Sequence, residues 1–262
     1  MWQAGRPSDR AYKVYNLSVR KRVLVVGGSE EFVGALFLAG ISALRSGAES
    51  VIVMAPERVA WALNILSPDL ITKKLKGGYL APRHRATIMR QLKSADILVL
   101  GNGTTIRPKT ASLMRLLMRW PGLKVVDADA LKVLRRNAVS NAILTPNERE
   151  WQIITSHNDI RKLLKKNVVV IKKGFPTIIL SATKTFRMPR TNWGLQKAGT
   201  GDVLAGLCAG YLAQGLSLWS AAKKAVKTGN RIADILTKRK RGYFFLASDI
   251  VADLHKVQKR RI

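Results

Sequence analysis

One cysteine, Cys208, is all the chain has, so no intrachain disulfide can form, and its apolar surroundings mark a packed thiol rather than a nucleophile. Histidine is nearly as scarce. His84, His157 and His255 show no metal-ligand spacing, His84 in PRHR reads as a surface-loop residue, and none is a catalytic candidate. Aromatic residues make up 6% of the chain and do not interleave with basic ones, which argues against a base-stacking platform and against sequence-specific reading of nucleic-acid bases. No apolar run approaches the roughly 20 residues of a membrane helix. The most apolar windows, VLVVGG and ADILVLG, are strand-length. The N-terminal MWQAGRPSDRAYKVYNLSVRKR lacks the apolar stretch and small-residue cleavage site of an export signal, so the expectation is a soluble, cytoplasmic protein without membrane contact.

Acidic residues are the largest shortage. Sixteen Asp and Glu face 46 Lys and Arg, a formal net charge of +30. Such an imbalance points either to contact with a polyanion or to a solvated basic surface. Basic clusters at Arg20, Lys21 and Arg22, around Arg161 to Lys166, at Lys238 to Arg241, and at Lys256, Lys259, Arg260 and Arg261 punctuate a globular pattern and form no long tail. Both readings stay open: nonspecific nucleic-acid association, or solubility.

What remains is ample for a core. With 262 residues, 47% of them hydrophobic, the chain predicts one domain over 1–262 with short basic extensions at both ends. From residue 23 onward strand-length apolar runs alternate with amphipathic stretches: RVLVVGG, a helix from Phe32 to Ser46, SVIVMAP, ERVAWALNIL, ADILVLGNG, TASLMRLLMRW, LKVVDADAL and NAILTPNEREW. VVVIKKG and TIILSAT read as a hairpin, and helices follow from Gly201 to the end. That alternation predicts an α/β fold, a mostly parallel sheet covered on both faces. Trp61, Trp120 and Trp151 fall at helical positions and read as packing residues, as does Trp193 beside Gly194.

Ligands of such sheets lie beyond the carboxyl ends of the strands. Five junctions there stand out: GGSEEFVGA, GNGTT, DADAL, TPNERE and AGTGD. In AGTGD, the backbone N–H groups of Gly199, Thr200 and Gly201 can converge at a helix start, where they and the helix dipole would hold a phosphate without formal charge. Asp202 is badly placed to bind that anion and well placed to take a proton from a hydroxyl attacking it.

GTGDVLAG following Asn192-x-Gly194 resembles the signature of the ribokinase-like superfamily, in its branch of ADP/ATP-dependent NAD(P)H-hydrate dehydratases. VGGSEEFVGA with ALRSGA behind it, VVDADAL, LTPNERE and KKGFPT fit the same branch in order, from Val23 to about Asp234. The resemblance implies that Asp202 contacts the hydrated nicotinamide and acts as the base, with Ala35, Gly103 and Asn147 as further substrate contacts. It implies that Lys173, Gly174 and Thr177 bind the adenine nucleotide, with Gly201 at its phosphate. Two stretches depart from the branch. Its P-G-L-G reads N-G-T-T over Asn102 to Thr105, and its T-P-H-x-G-E reads T-P-N-E-R-E. Asn147 and Glu150 thereby form an N-x-x-E resembling the one that other ribokinase-like enzymes use to organise Mg²⁺, which makes Glu150 the candidate metal contact, with Asp127 and Asp129 behind it.

The activity implied is ADP- or ATP-dependent dehydration of hydrated NADH or NADPH, with Mg²⁺ on the nucleotide, a separate epimerase chain as partner, and a homo-oligomeric assembly. The alternatives are a kinase of a hydroxymethyl or hydroxyethyl heterocycle, and a basic relative associated with RNA or ribonucleoprotein.

Overall fold

The structure, a computed structural model, describes residues 21–257. Arg20 and the tail residues Lys259, Arg260 and Arg261 lie outside the described residues. The order of elements is β1 (Arg22–Val26), α1 (Val33–Arg45), β2 (Ser50–Pro56), α2 (Glu57–Leu66), β3 (Ile71–Leu75), α3 (Arg85–Leu92), β4 (Ile97–Leu100) and α4 (Pro108–Met118). There follow β5 (Leu123–Val126), α5 (Asp129–Lys132), β6 (Ala142–Leu144), α6 (Glu148–His157), α7 (Ile160–Leu164), β7 (Val168–Lys172), β8 (Ile178–Leu180) and β9 (Thr185–Arg187). The chain closes with α8 (Thr200–Ala213), α9 (Leu218–Arg239) and α10 (Ala247–Asp253). No helix among the described residues is long and apolar enough to cross a membrane.

The strands form one sheet in the order β3-β2-β1-β4-β5-β6-β7-β8-β9. β1 to β7 run parallel, β8 runs against β7, as the KKGFPT hairpin requires, and β9 runs against β8. Because side chains alternate across a strand, each strand feeds two cores. Val23 and Val25 pack on the side of α1, α8 and α9, and Leu24 and Val26 on the side of α3, α4 and α6. The order reverses between β1 and β4, and such a switch opens a crevice outside the carboxyl ends of the strands there.

α8 is apolar nearly all round because it is buried nearly all round, Cys208 included, and burial pushes that thiol's pKa up. A methyl group on Gly206 would strike the carbonyl of Ala39, and one on Gly210 would lie 2.6 Å from that of Ala43, so these glycines let α8 lie directly against the backbone of α1.

Several expectations need correction. β3, α3, α5, α7 and β9 were not among the predicted elements, and the third predicted strand is β4. His84 is buried, not a surface residue. Its Nδ1 accepts from the Ala81 N–H at 3.2 Å and its Nε2 lies 3.0 Å from the Lys76 carbonyl, while burial lowers its pKa. Trp61 is 57% exposed under the ammonium of Lys74 instead of packed, while Trp120 and Trp151 do pack against the core. Trp193 is also exposed and stacks on Phe175, with ring centroids 4.2 Å apart.

Candidate active site

Four neighbouring strands, β4 to β7, each deliver one polar side chain just past their carboxyl ends: Asn102, Asp127, Thr145 and Lys173. Asp127 is their hub. Its Oδ1 accepts from the Thr145 hydroxyl at 2.6 Å and from the Lys173 ammonium at 3.1 Å, and its Oδ2 accepts from Asn102 Nδ2 at 3.0 Å. A carboxylate that is 2% exposed is tolerable only when paired in this way. Asp129, in contrast, faces Lys132 at 2.7 Å, away from this network.

The same Asn102 amide donates to Asp202 Oδ1 at 2.7 Å, joining residues 100 positions apart. Burial, and then the charge of Asp127, push the Asp202 carboxyl up to about 7, against the pull of Asn102, Lys173 and its own backbone N–H. A carboxyl poised near neutrality is suited to accept a proton at physiological pH.

Asp202 stands in the first turn of α8, whose N-cap, Gly199, has φ +84, a left-handed conformation that suits glycine. Thr200 is tied down: its hydroxyl donates to the carbonyls of Leu195 and Lys197, and its N–H to that of Lys197 at 3.2 Å. The expected three-amide nest is therefore narrower than the sequence suggested, and the helix start is offered from Gly201 onward. The Lys173 ammonium lies 3.1 Å from where a Gly201 side chain would begin, so glycine there leaves room for a cation at the helix mouth. Burial presses the Lys173 pKa down, but Asp127 and Glu150 raise it by more, so the charge is secure.

Asn147 and Glu150 form a capping box at the start of α6. Asn147 Oδ1 accepts from the Glu150 N–H and Glu150 Oε2 from the Asn147 N–H, both at 2.9 Å. Burial raises the Glu150 pKa, and Lys173, 3.9 Å away, opposes this.

A cavity of about 250 Å³ opens at this mouth. Its lining includes the polar or small residues Asn147, Lys173, Gly174, Thr177, Thr200 and Gly201 and the apolar Leu204, Leu207, Val226 and Ile250. A ligand with both charged and flat apolar parts suits such a mixed lining. Thr177 lines it while its hydroxyl donates to the Gly174 carbonyl at 3.1 Å.

Ala35 and Gly103 lie elsewhere, at the switch between β1 and β4. Gly103 has φ +67, and a side chain on it would meet the Phe32 carbonyl at 2.6 Å and Ala35 Cβ at 2.9 Å. Next to them a hollow of about 80 Å³ is lined by Ser29, Glu31, Tyr79, Thr105 and Arg107. Asp202 is thus bracketed by Gly201 on the cavity side and by Asn102, neighbour of Gly103, on the other. Asn147 does not join Ala35 and Gly103; it belongs to the wall of the large cavity.

Sequence reasoning missed Asn102 and Thr145. Asn102 shows in the sequence only as the first residue of the departing N-G-T-T. The Phe175–Trp193 stack was missed too.

A family model described as NAD(P)H-hydrate dehydratase matches residues 23–256. The bifunctional NAD(P)H-hydrate repair enzyme Nnr of Methanocaldococcus jannaschii is 34% identical over 242 residues, covering 91% of this chain and 48% of that protein, so the chain spans about half the length of this relative. An ADP-dependent (S)-NAD(P)H-hydrate dehydratase of Nitrosopumilus maritimus is 31% identical, covering 90% of this chain and 88% of that one. Among solved structures, the ADP/ATP-dependent NAD(P)H-hydrate dehydratase of Bacillus subtilis co-crystallised with ATP/Mg²⁺ superposes with a TM-score of 0.73 at 22% identity, covering 91% and 90% of the two chains. Ribokinase of Cryptococcus neoformans in complex with ADP gives 0.58 at 15% identity, covering 90% and 99%. These two likenesses bear on the fold, which is ribokinase-like as expected.

Proposed function

The chain belongs to the NAD(P)H-hydrate dehydratase family, and from that premise we propose that it dehydrates hydrated NADH or NADPH at the expense of ADP or ATP. The observation that carries this reading is a carboxyl poised near neutrality, Asp202, one residue past a helix mouth that also holds a half-buried, paired lysine. The nucleotide lies in the large cavity, its terminal phosphoryl at Gly201 and Lys173. The substrate's hydroxyl enters from the side of Ala35 and Gly103. As its oxygen bonds to phosphorus and the donor's bridging P–O bond breaks, Asp202 takes the hydroxyl proton, and Lys173 with the α8 amides stabilises charge on the phosphoryl oxygens. The ring nitrogen's lone pair then expels phosphate, and the neighbouring carbon yields a proton that the departing phosphate is basic enough to take. A dihydronicotinamide results.

Mg²⁺ fits this mouth as a guest of the nucleotide. Among the described residues no group of three or more His, Cys, Asp or Glu could hold a metal ion, and Asp127 is fully engaged by protein donors. Glu150 is the protein carboxylate we assign to it, through water, and when bound the ion neutralises phosphate charge. An epimerase partner and a symmetric homo-oligomer belong to the same proposal.

Incubation with hydrated NADH or NADPH plus ADP or ATP tests the reading through the return of dihydronicotinamide absorbance. Accumulation of a phosphorylated product without that return supports a small-molecule kinase instead.

One surface favours a second role beside catalysis. The outer face of α9 bears Lys223, Lys224, Lys227 and Arg231 along a groove of about 440 Å³ whose lining holds no acid. A neighbouring groove of about 410 Å³ shares Lys227 and Arg231 and adds Phe186, over which Lys223 and Lys227 lie. Its one acid, Asp234, accepts from Asn192 and Asn230. A single nucleic-acid strand fits this concave cationic track. The test is oligonucleotide binding against salt. Reversing Lys223, Lys227 and Arg231 to Glu should lower the log–log slope by about 2, at roughly 0.7 per phosphate contact. The same reversal at exposed Lys73, Arg85 and Arg90 should leave it alone, and an equal loss there makes the attraction diffuse.

A further inference from the structure

Asn102 carries more than a loop. It is fully buried, its backbone carbonyl accepts from the Gly28 N–H at 2.9 Å, and its side-chain nitrogen donates to two carboxylates, Asp127 Oδ2 at 3.0 Å and Asp202 Oδ1 at 2.7 Å. Its side-chain oxygen is buried without a protein partner. That orientation is forced, because a reversed amide would set an oxygen against two carboxylates while the nitrogen's donors went unused. The far end of the bridge cannot follow a movement, since Thr145 and Lys173 hold Asp127 Oδ1.

We propose that Asn102 is a positioning residue for Asp202: its amide commits Oδ1 to the protein, so that Oδ2 is the atom that takes the hydroxyl proton. This rests on the dehydratase reading for its chemistry, though not for its geometry. The amide also places donor hydrogens between two acids that would otherwise repel, and so lets Asp202 be ionised beside Asp127. N-G-T-T thus departs from the family pattern toward the base, where its first residue points, and the hydroxyl of Thr104 likewise turns inward to the Gly101 carbonyl at 2.9 Å.

Asn102→Ala should lower kcat about 10-fold at pH 7 while leaving the nucleotide KM within about twofold. The acid limb of the kcat profile should move to higher pH, with most of the loss regained by about pH 9 as Asp202 ionises. Asn102→Asp, of the same shape, removes the donors and adds a third acid, and should move the limb further. Asn102→Ser, keeping one donor, should fall between Ala and the parent. A purely structural residue would depress the rate alike at every pH; that result, or an unchanged profile, overturns the proposal. Should Asn102→Ala fail to fold, the isosteric Asp variant decides. A ¹³C NMR titration of the Asp202 carboxyl in the ligand-free protein separates this idea from the dehydratase reading. Its pKa must rise in the variants whether or not hydrated nicotinamides are turned over, and an unmoved titration ends the proposal.

Discussion

The two ends of β5 carry two lysine environments, one wholly buried and one half-buried, with opposite outcomes. Near the amino end, Lys124 is wholly buried with only the Ser140 carbonyl to receive its ammonium, and burial pushes its pKa down to about 8. Past the carboxyl end, Asp127 receives Lys173, whose pKa is raised despite burial because two carboxylates surround it. Desolvation acts on both, and only one has counter-charges. In a protein with so few acids, placing Asp127, Glu150 and Asp202 together at one end of the sheet marks that end as the place where charge is managed, and leaves the other as a site where charge is merely endured.

The contrast can be broken most sharply at Asp202. Asp202→Asn should reduce kcat about a thousandfold, in the range lost with a general base, with nucleotide affinity nearly unchanged by calorimetry. The folded protein favours the protonated carboxyl, so the parent loses stability as pH rises through about 7, and the Asn variant does not. Its melting temperature should exceed the parent's at pH 8 and match it near pH 4. Activity of the parent should rise across the same interval.

Next in size is Lys173→Met. Removing one partner of a buried ion network leaves Asp127 and Glu150 without their cation, at a cost of roughly 2–4 kcal/mol, or about 5–10 °C. A nucleotide KM at least tenfold higher should accompany it. Lys124→Met should have the reverse sign. The folded chain prefers neutral Lys124, so below about pH 8 the parent bears the full penalty of charging it, which is relieved toward pH 10.5. Scanning calorimetry should find Lys124→Met a few degrees more stable at pH 7, level with the parent at high pH, and equally active. The α9 reversal should be nearly as quiet in catalysis as Lys124→Met: with Lys223, Lys227 and Arg231 reversed, kcat should stay within about twofold, because none of the three lines the nucleotide cavity.

Local pattern explains what could be read beforehand. Strand–helix alternation, the glycines before Asp202, and Lys173 before Gly174 all announce themselves within a few residues. β3 did not, because ITKKL is a lysine-bearing edge strand exposed at alternate positions, which reads as a polar turn. His84 misled in the same way, since its burial comes from Lys76 and Ala81 and not from PRHR itself. The bridge from Asn102 to Asp127 and Asp202 spans 25 and 100 positions and leaves no periodic trace. N-x-x-E illustrates a different limit: the spacing that suggested a metal contact is also that of a capping box, which Asn147 and Glu150 form, so one motif carries two readings.

The seam between α1 and α8 has a mechanical consequence. With Gly206 and Gly210 seated on the carbonyls of Ala39 and Ala43, the side chains that meet them are the small ones of Ser42 and Ser46, and no bulky group spaces the rods there. One rod bears Ala35 and the other bears Gly201 and Asp202, so the span from acceptor to donor is gauged by backbone thickness.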